Sequence, residues 1–204
     1  MSCWRRRTRA AGRELTSERA LVAAARICEP WFARLLGVPP IRAILHRRAL
    51  AAWRATDEPL ILCFGNINRS PFAAALARRR TGSRASSAGF YPQAGRSSPP
   101  LTVTGAHARG VDLAAHRSVI VSSEQLDNAP AIFVFDLQNL ACVAARRAGA
   151  LRRTHLLGAL SPDGAVLIAD PHGRGQAVLE DVLSETQRAV GHADMTQENA
   201  ANSR

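Results

Sequence analysis

Apolar and polar positions change their rhythm once along the chain, near residue 59. Before it, "RELTSERALVAAARICEPWFARLL" (13–36) carries apolar residues at helical spacing, with Thr16 or Ser17 as a cap and Pro30 as an interruption. "PPIRAILHRRALAAWRA" (39–55) opens on a Pro pair, which suits a first helical turn, and sets Ile41, Ile44, Leu45 and Leu50 along one side. After the linker Asp57-Glu58-Pro59, short apolar runs alternate with helix-like stretches. The runs are "LILCF" (60–64), "RASSAG" (84–89), "AIFVFD" (131–136) and "RTHLLGAL" (153–160), and helices are predicted near 71–81, 100–109, 137–148 and 175–190. Such alternation argues for a parallel sheet covered by helices. The expectation is a three-layer α/β domain over residues 59–191, with about four parallel strands and helices on both faces. A basic helical extension (1–58) precedes it and a polar tail (192–204) follows.

Composition agrees with one domain plus an extension: 204 residues, 47% hydrophobic, are enough to bury one core. The formal charge is +11, all 27 basic residues are Arg, and residues 1–58 carry +7 of the excess. So complete a bias reads as genome composition, and without a recognisable motif the high charge does not point to a nucleic-acid partner. Two uses of the extension stay open. It packs as a helical pair on the domain or mediates self-association, or it lies as a basic amphipathic helix on an anionic membrane surface, with Trp31, Phe32 and Trp53 as interfacial anchors. The four cysteines, Cys3, Cys28, Cys63 and Cys142, form no C-x-x-C pair and have no His at ligand spacing. Neither a disulfide framework nor a metal site is expected, and a reducing, cytoplasmic setting is expected. No apolar run approaches the roughly 18 residues of a membrane span, and no signal peptide is expected at the N-terminus.

Cys63 stands apart by context rather than by spacing. Arg follows Cys3, Cys28 and Cys63 alike at the sixth position (Arg9, Arg34, Arg69), as a chain rich in Arg allows by chance. Only Cys63 ends a buried-strand pattern and is followed by Gly65 and Asn66, which tolerate unusual backbone angles, and then by Ser70-Pro71 opening a helix. Amides of residues 64–70 can then converge on one tetrahedral anion. A helix N-terminus and the Arg69 guanidinium both favour a thiolate, taking an ordinary thiol pKa of about 8.5 towards roughly 3.5 to 7.5.

"CFGNINRSP" (63–71) resembles the phosphate-binding loop C-x-G-N-x-C-R-S-P of the low-molecular-weight protein tyrosine phosphatases. Further similarities follow in order over residues 59–190: "SSAGF" (86–90), "GVDLAAHRS" (110–118), "FVFDLQNL" (133–140) and "IADPHG" (168–173), the last resembling the Asp-Pro loop of the general acid. The resemblance implies Cys63 as nucleophile, Arg69 as the bidentate clamp on phosphoryl oxygens and Asp170 as acid and then base, with no metal or other cofactor. It implies that Phe64, Gly65, Asn66, Ile67, Asn68 and Ser70 form the phosphate cradle, with Ser87 and His116 in a supporting network. Asp136 and Asn139 read as a helix cap or as part of the site. The implied reaction is hydrolysis of phosphotyrosine through a phosphocysteine. The implied partner is a phosphotyrosine protein, such as a bacterial tyrosine kinase of surface-polysaccharide synthesis.

Two departures stand out. Asn68 occupies the position of a second cysteine found in many members, so a protective disulfide inside the loop is not expected. His172 follows Asp170-Pro171 where an aromatic is common, and Phe90 and Tyr91 are expected to join it as pocket walls. The alternatives are a thiol-dependent arsenate reductase, for which Cys142 is the one further cysteine in the domain, and a catalytically weak phosphate-binding module.

Overall fold

A computed structural model describes the backbone of residues 2–202 and the side chains of residues 18–80 and 82–196; the side chain of Cys3 lies outside them. In chain order the elements are α1 (Ser2–Leu36), α2 (Pro39–Arg54), β1 (Leu60–Cys63), α3 (Arg69–Thr81), β2 (Ser86–Gly89), α4 (Pro100–His107), α5 (Ser123–Asn128), β3 (Ile132–Val134), α6 (Leu137–Arg147), β4 (Thr154–Leu156) and α7 (Gly175–Asn202). The four strands form one parallel sheet in the order β2-β1-β3-β4. The crossover from β1 to β2 travels one way across the sheet and that from β3 to β4 the other. Right-handed crossovers therefore place α3 and α6 on opposite faces. The β1–β3 boundary, where connections leave in opposite directions, opens a crevice at the strands' carboxyl ends. Cys63 ends β1 beside it, and Asp136 follows β3.

Both faces are sealed by fully buried side chains, among them Ile61, Leu62, Phe72, Ile132 and Phe133. At the β1–β2 edge Gly89 is required by close approach, since a Cβ there would sit 2.8 Å from the Phe64 carbonyl and 2.9 Å from Asn66. Ordinary contacts do not come so near, so the loop after Cys63 packs on β2 only because residue 89 has no side chain.

The extension is part of this body. α1 packs on α6, where the Glu18 carboxylate meets the Arg146 guanidinium at 3.2 Å, and it runs through Thr16, Ser17 and Pro30 without a break. Pro30 removes one rung of the helix, and packing on both sides of it carries the helix across. In α2, Trp53 is 3% exposed. It packs edge-on against Phe133 and donates to Asp194 Oδ1 at 3.3 Å, so it is a core residue and not an interfacial anchor. Ile44, expected on the packed side, is exposed. Arg42 donates to the carbonyls of Pro162 and Gly164, and His46 Nδ1 to that of Ala159 at 2.9 Å. The boundary expected at 191 falls inside α7. This helix continues to Asn202 with Ala193 and Asp194 buried, because Asp194 is the partner Trp53 needs. The outer face of α1 exposes Ile27 and Trp31. Among the described residues no helix is long and apolar enough to cross a membrane.

The apolar run 153–160 yields only the short β4 before a 3-10 turn over Leu157–Leu160. α5, absent from the sequence reading, is fixed by a capping box: Ser122 Oγ accepts from the Gln125 amide and Gln125 Oε1 from the Ser122 amide.

Candidate functional site

The site is assembled from the turn between β1 and α3. Cys63, at the end of β1, is buried, and its Sγ receives the Asn66 amide at 3.2 Å and lies 3.1 Å from Ser70 Oγ. Both groups hold the same sulfur at the mouth of the loop. The loop's unusual conformation belongs to Asn66 alone, at φ 51°, and not to Gly65. Asn66 is held there by each of its polar atoms. Its Nδ2 donates to Ser70 Oγ (2.9 Å) and Ser87 Oγ (3.0 Å), its Oδ1 accepts from the Val119 amide (2.8 Å), and its carbonyl accepts from His116 Nε2 (2.8 Å). Ser87 and His116 thus meet at one residue from separate segments. A left-handed Asn persists where the surroundings over-determine it.

Arg69, the first residue of α3, is 1% exposed. Its Nη1 pairs with Asp136 Oδ2 at 2.5 Å and donates to the Ile168 carbonyl at 3.0 Å, while Nη2 reaches Asp170 Oδ2 at 3.2 Å. Burial opposes its charge, but Asp136, Asp170 and Cys63 outweigh burial and hold the guanidinium pKa above the ordinary Arg value. Nε is buried with no protein partner. An orphan donor on a buried cation is a place for an anion's oxygen. Asp136 resolves the choice left open above, since it caps α6 by accepting from the Asn139 amide (2.7 Å) and also orients Arg69. Asp170 stands in the loop opposite, its carboxylate 41% exposed. Asn68 spends its side chain on Thr102 of α4, accepting from Oγ1 at 2.7 Å, so the N-cap position of α3 has no side-chain cap of its own. Free amides at a helix start favour an anion.

A cavity of about 130 Å³ joins Cys63, Arg69 and Asp170. Its walls correct the sequence reading. Phe90 is 1% exposed, in the core beneath the Arg146 guanidinium, and does not line this cavity. The walls are Phe64 and Tyr91, ring centroids 5.9 Å apart and edge to face, with Ile67 and His172. Sequence reasoning missed Arg96, which also lines the cavity, lies 4.1 Å over the Tyr91 ring and donates to the Gly65 carbonyl at 2.5 Å. Its one signal was its place in the segment between the Ser-Ala-Gly strand end and the next helix. Among the described residues no group of three or more His, Cys, Asp or Glu converges as metal ligands would. Cys142 is buried in α6, and burial, with the nearby Glu18 carboxylate, pushes its thiol up to about 12.

Comparisons with known proteins agree with this geometry. The sequence model of the family described as "Low molecular weight phosphotyrosine protein phosphatase" matches residues 59–198. A curated relative, "Probable low molecular weight protein-tyrosine-phosphatase EpsP" of Ralstonia nicotianae, is 30% identical over 132 residues, 64% of this chain and 89% of that protein. The fold is similar to that of the Erwinia amylovora tyrosine phosphatase amsI (TM-score 0.64, 22% identity, 69% of this chain and 93% of that one). It is also similar to that of the YwlE arginine phosphatase from Geobacillus stearothermophilus (TM-score 0.63, 23% identity, 72% and 96%). With the loop, the thiol and the buried guanidinium in place, this chain belongs to the low-molecular-weight phosphotyrosine protein phosphatase family and is a cysteine-based phosphatase.

Proposed function

We propose that the protein hydrolyses phosphotyrosine in protein substrates through a phosphocysteine formed on Cys63. The observation that carries this reading is the small cavity that the Cys63 thiol, the Arg69 guanidinium and the Asp170 carboxyl line together with the Phe64 and Tyr91 rings. The phosphoryl group enters the loop, and Arg69 turns Nε and Nη2 to two of its oxygens, Asp136 holding Nη1 fixed from behind. Cys63 Sγ attacks phosphorus in line and the P–O bond to the tyrosine breaks. Asp170 gives its proton to the departing phenolate oxygen. In the second step Asp170 takes a proton from water as that water attacks phosphorus. The Cys63 thiolate then leaves, stabilised by Ser70 Oγ and the Asn66 amide.

The mouth favours an aryl ester. Phe64 and Tyr91 line one apolar side of the mouth, against which a phenol ring can pack, and the Arg96 cation beside them repels a guanidinium leaving group. A thiol relay for arsenate reduction finds no support in Cys142, whose thiol is buried and held protonated. The test is turnover of p-nitrophenyl phosphate with a chelator present, with rapid quenching to trap the intermediate. Turnover lost in Cys63→Ser, with phosphate trapped on Cys63 in the wild type, is the expected result. Persistent turnover in Cys63→Ser overturns the mechanism, and an inert wild type that still binds phosphate makes the protein a binding module.

A further inference from the structure

We propose that the crevice between α1 and the mouth of the catalytic cavity is a second recognition site, which takes acidic residues flanking the phosphotyrosine and contacts them through Arg26 and Arg174. This rests on the reading above that the substrate is a phosphotyrosine protein. The crevice encloses about 790 Å³ and shares Phe64, Arg69, Asp170 and His172 with the catalytic cavity. A phosphotyrosine seated on Arg69 therefore carries its neighbouring residues into the crevice. One wall is α1, which lies outside the 59–198 segment matched by the family, so this surface belongs to the chain's own extension.

Charge selects the ligand. Two of the crevice's three carboxylates are committed, since Asp136 and Asp170 both pair with Arg69; the third, Glu29, lies against Leu137 and Gln138 at the start of α6 with Oε2 buried and unpartnered. Burial and the Asp136 charge also push the Glu29 carboxyl above the usual carboxylate range, which weakens its claim on a cation. Arg26 of α1 and Arg174 of the segment before α7 both line this space, both are exposed, and among the described residues neither guanidinium has an ion pair or a side-chain hydrogen bond. Two uncommitted cations beside a phosphate site attract Asp or Glu and repel Lys or Arg. Their exposure keeps each contact modest and sensitive to salt.

The experiment compares kcat/KM for two phosphotyrosyl peptides of equal length, one flanked by Asp and Glu and one by Ser and Gln, with p-nitrophenyl phosphate as reference. The full chain, Arg26→Glu/Arg174→Glu and the milder Arg26→Ala are measured at low salt and at about 1 M salt, where the screening length is about 3 Å. At low salt the acidic peptide should be preferred by roughly three- to tenfold, mostly through KM, as two exposed ion pairs allow. High salt should erase the preference, Arg26→Ala reduce it and the double reversal invert it. Both peptides hydrolysed at equal kcat/KM, or a preference unmoved by the double reversal, overturns the proposal alone. Turnover of p-nitrophenyl phosphate with neither peptide hydrolysed overturns the protein-substrate reading and this proposal with it.

Discussion

Arg69 Nη1 lies 2.5 Å from Asp136 Oδ2, and the two side chains are 1% and 3% exposed. The other oxygen of the same carboxylate caps α6 through the Asn139 amide. One residue just after β3 thereby fixes both the helix on one face of the sheet and the guanidinium at the start of α3. Removing one partner of a buried pair leaves the other charge without compensation. Asp136→Asn keeps the cap but not the charge. It should lower stability by roughly 3 kcal/mol and kcat/KM by at least about tenfold, read by urea denaturation and by aryl phosphate turnover.

Asp170 competes with substrate for the same guanidinium through its 3.2 Å pairing with Nη2. Asp170→Asn should therefore lower kcat by about 10²- to 10⁴-fold, the usual range for a lost acid-base group, while inorganic phosphate inhibits as well as or better than in the wild type. Weaker phosphate inhibition in the variant would show that Asp170 helps to bind phosphate and does not compete with it.

Peroxide should inactivate the protein by carrying Cys63 to sulfenic and higher acids without a disulfide to any protein cysteine. Asn68 fills the place of the usual resolving thiol with an amide bonded to Thr102, and the Cys142 thiol is buried with its pKa pushed up to about 12. Mass spectrometry of the oxidised protein distinguishes added oxygen from a disulfide.

Trp53 ties α2 to the sheet and to α7 at once, through Phe133 and Asp194. Trp53→Ala should cost about 3 to 5 kcal/mol, as large core truncations do, and leave a single unfolding transition for extension and domain together. Separate transitions in the wild type would show instead that the extension folds on its own.

Glu29 gives a pH dependence whose sign is fixed by structure. Its carboxyl is raised by burial and by Asp136, so its folded pKa lies above the unfolded one. The native state then holds the proton more tightly, and this contribution is full below the ordinary carboxylate value and lost as pH rises through the folded pKa. Glu29→Gln should accordingly raise Tm at pH 7 to 8, with the gain disappearing near pH 4. Thermal denaturation across that range checks it.

Much of the domain follows from the order of residues because it rests on local chemistry. Alternation of apolar runs with helical stretches prescribes a parallel sheet, and the strand-Gly-Asn-Arg-Ser-Pro succession places a thiol at the mouth of a helix. Each run, turn and helix start in these signals is set by residues within one short stretch of chain. The strained Asn66 was legible as one of two permissive residues, although which of them takes the left-handed angle depended on contacts from Ser87, His116 and Val119, all distant in sequence.

Distance in sequence is also why the remainder was hidden. A run of apolar residues does not say which of two adjacent aromatics turns inward, so Phe90 and Tyr91 exchanged their expected similarity for opposite fates once Arg146 covered one and Arg96 the other. Pro30 and the residues after 191 look like ends of helices until α6 and Trp53 supply the packing that continues them. The sequence alone determined the fold class and the thiol, guanidinium and carboxyl at the site. Only tertiary structure decided that Asp136 grips the guanidinium and that α1 walls a crevice beside it, because burial and charge pairing act between surfaces that meet only after the chain has closed.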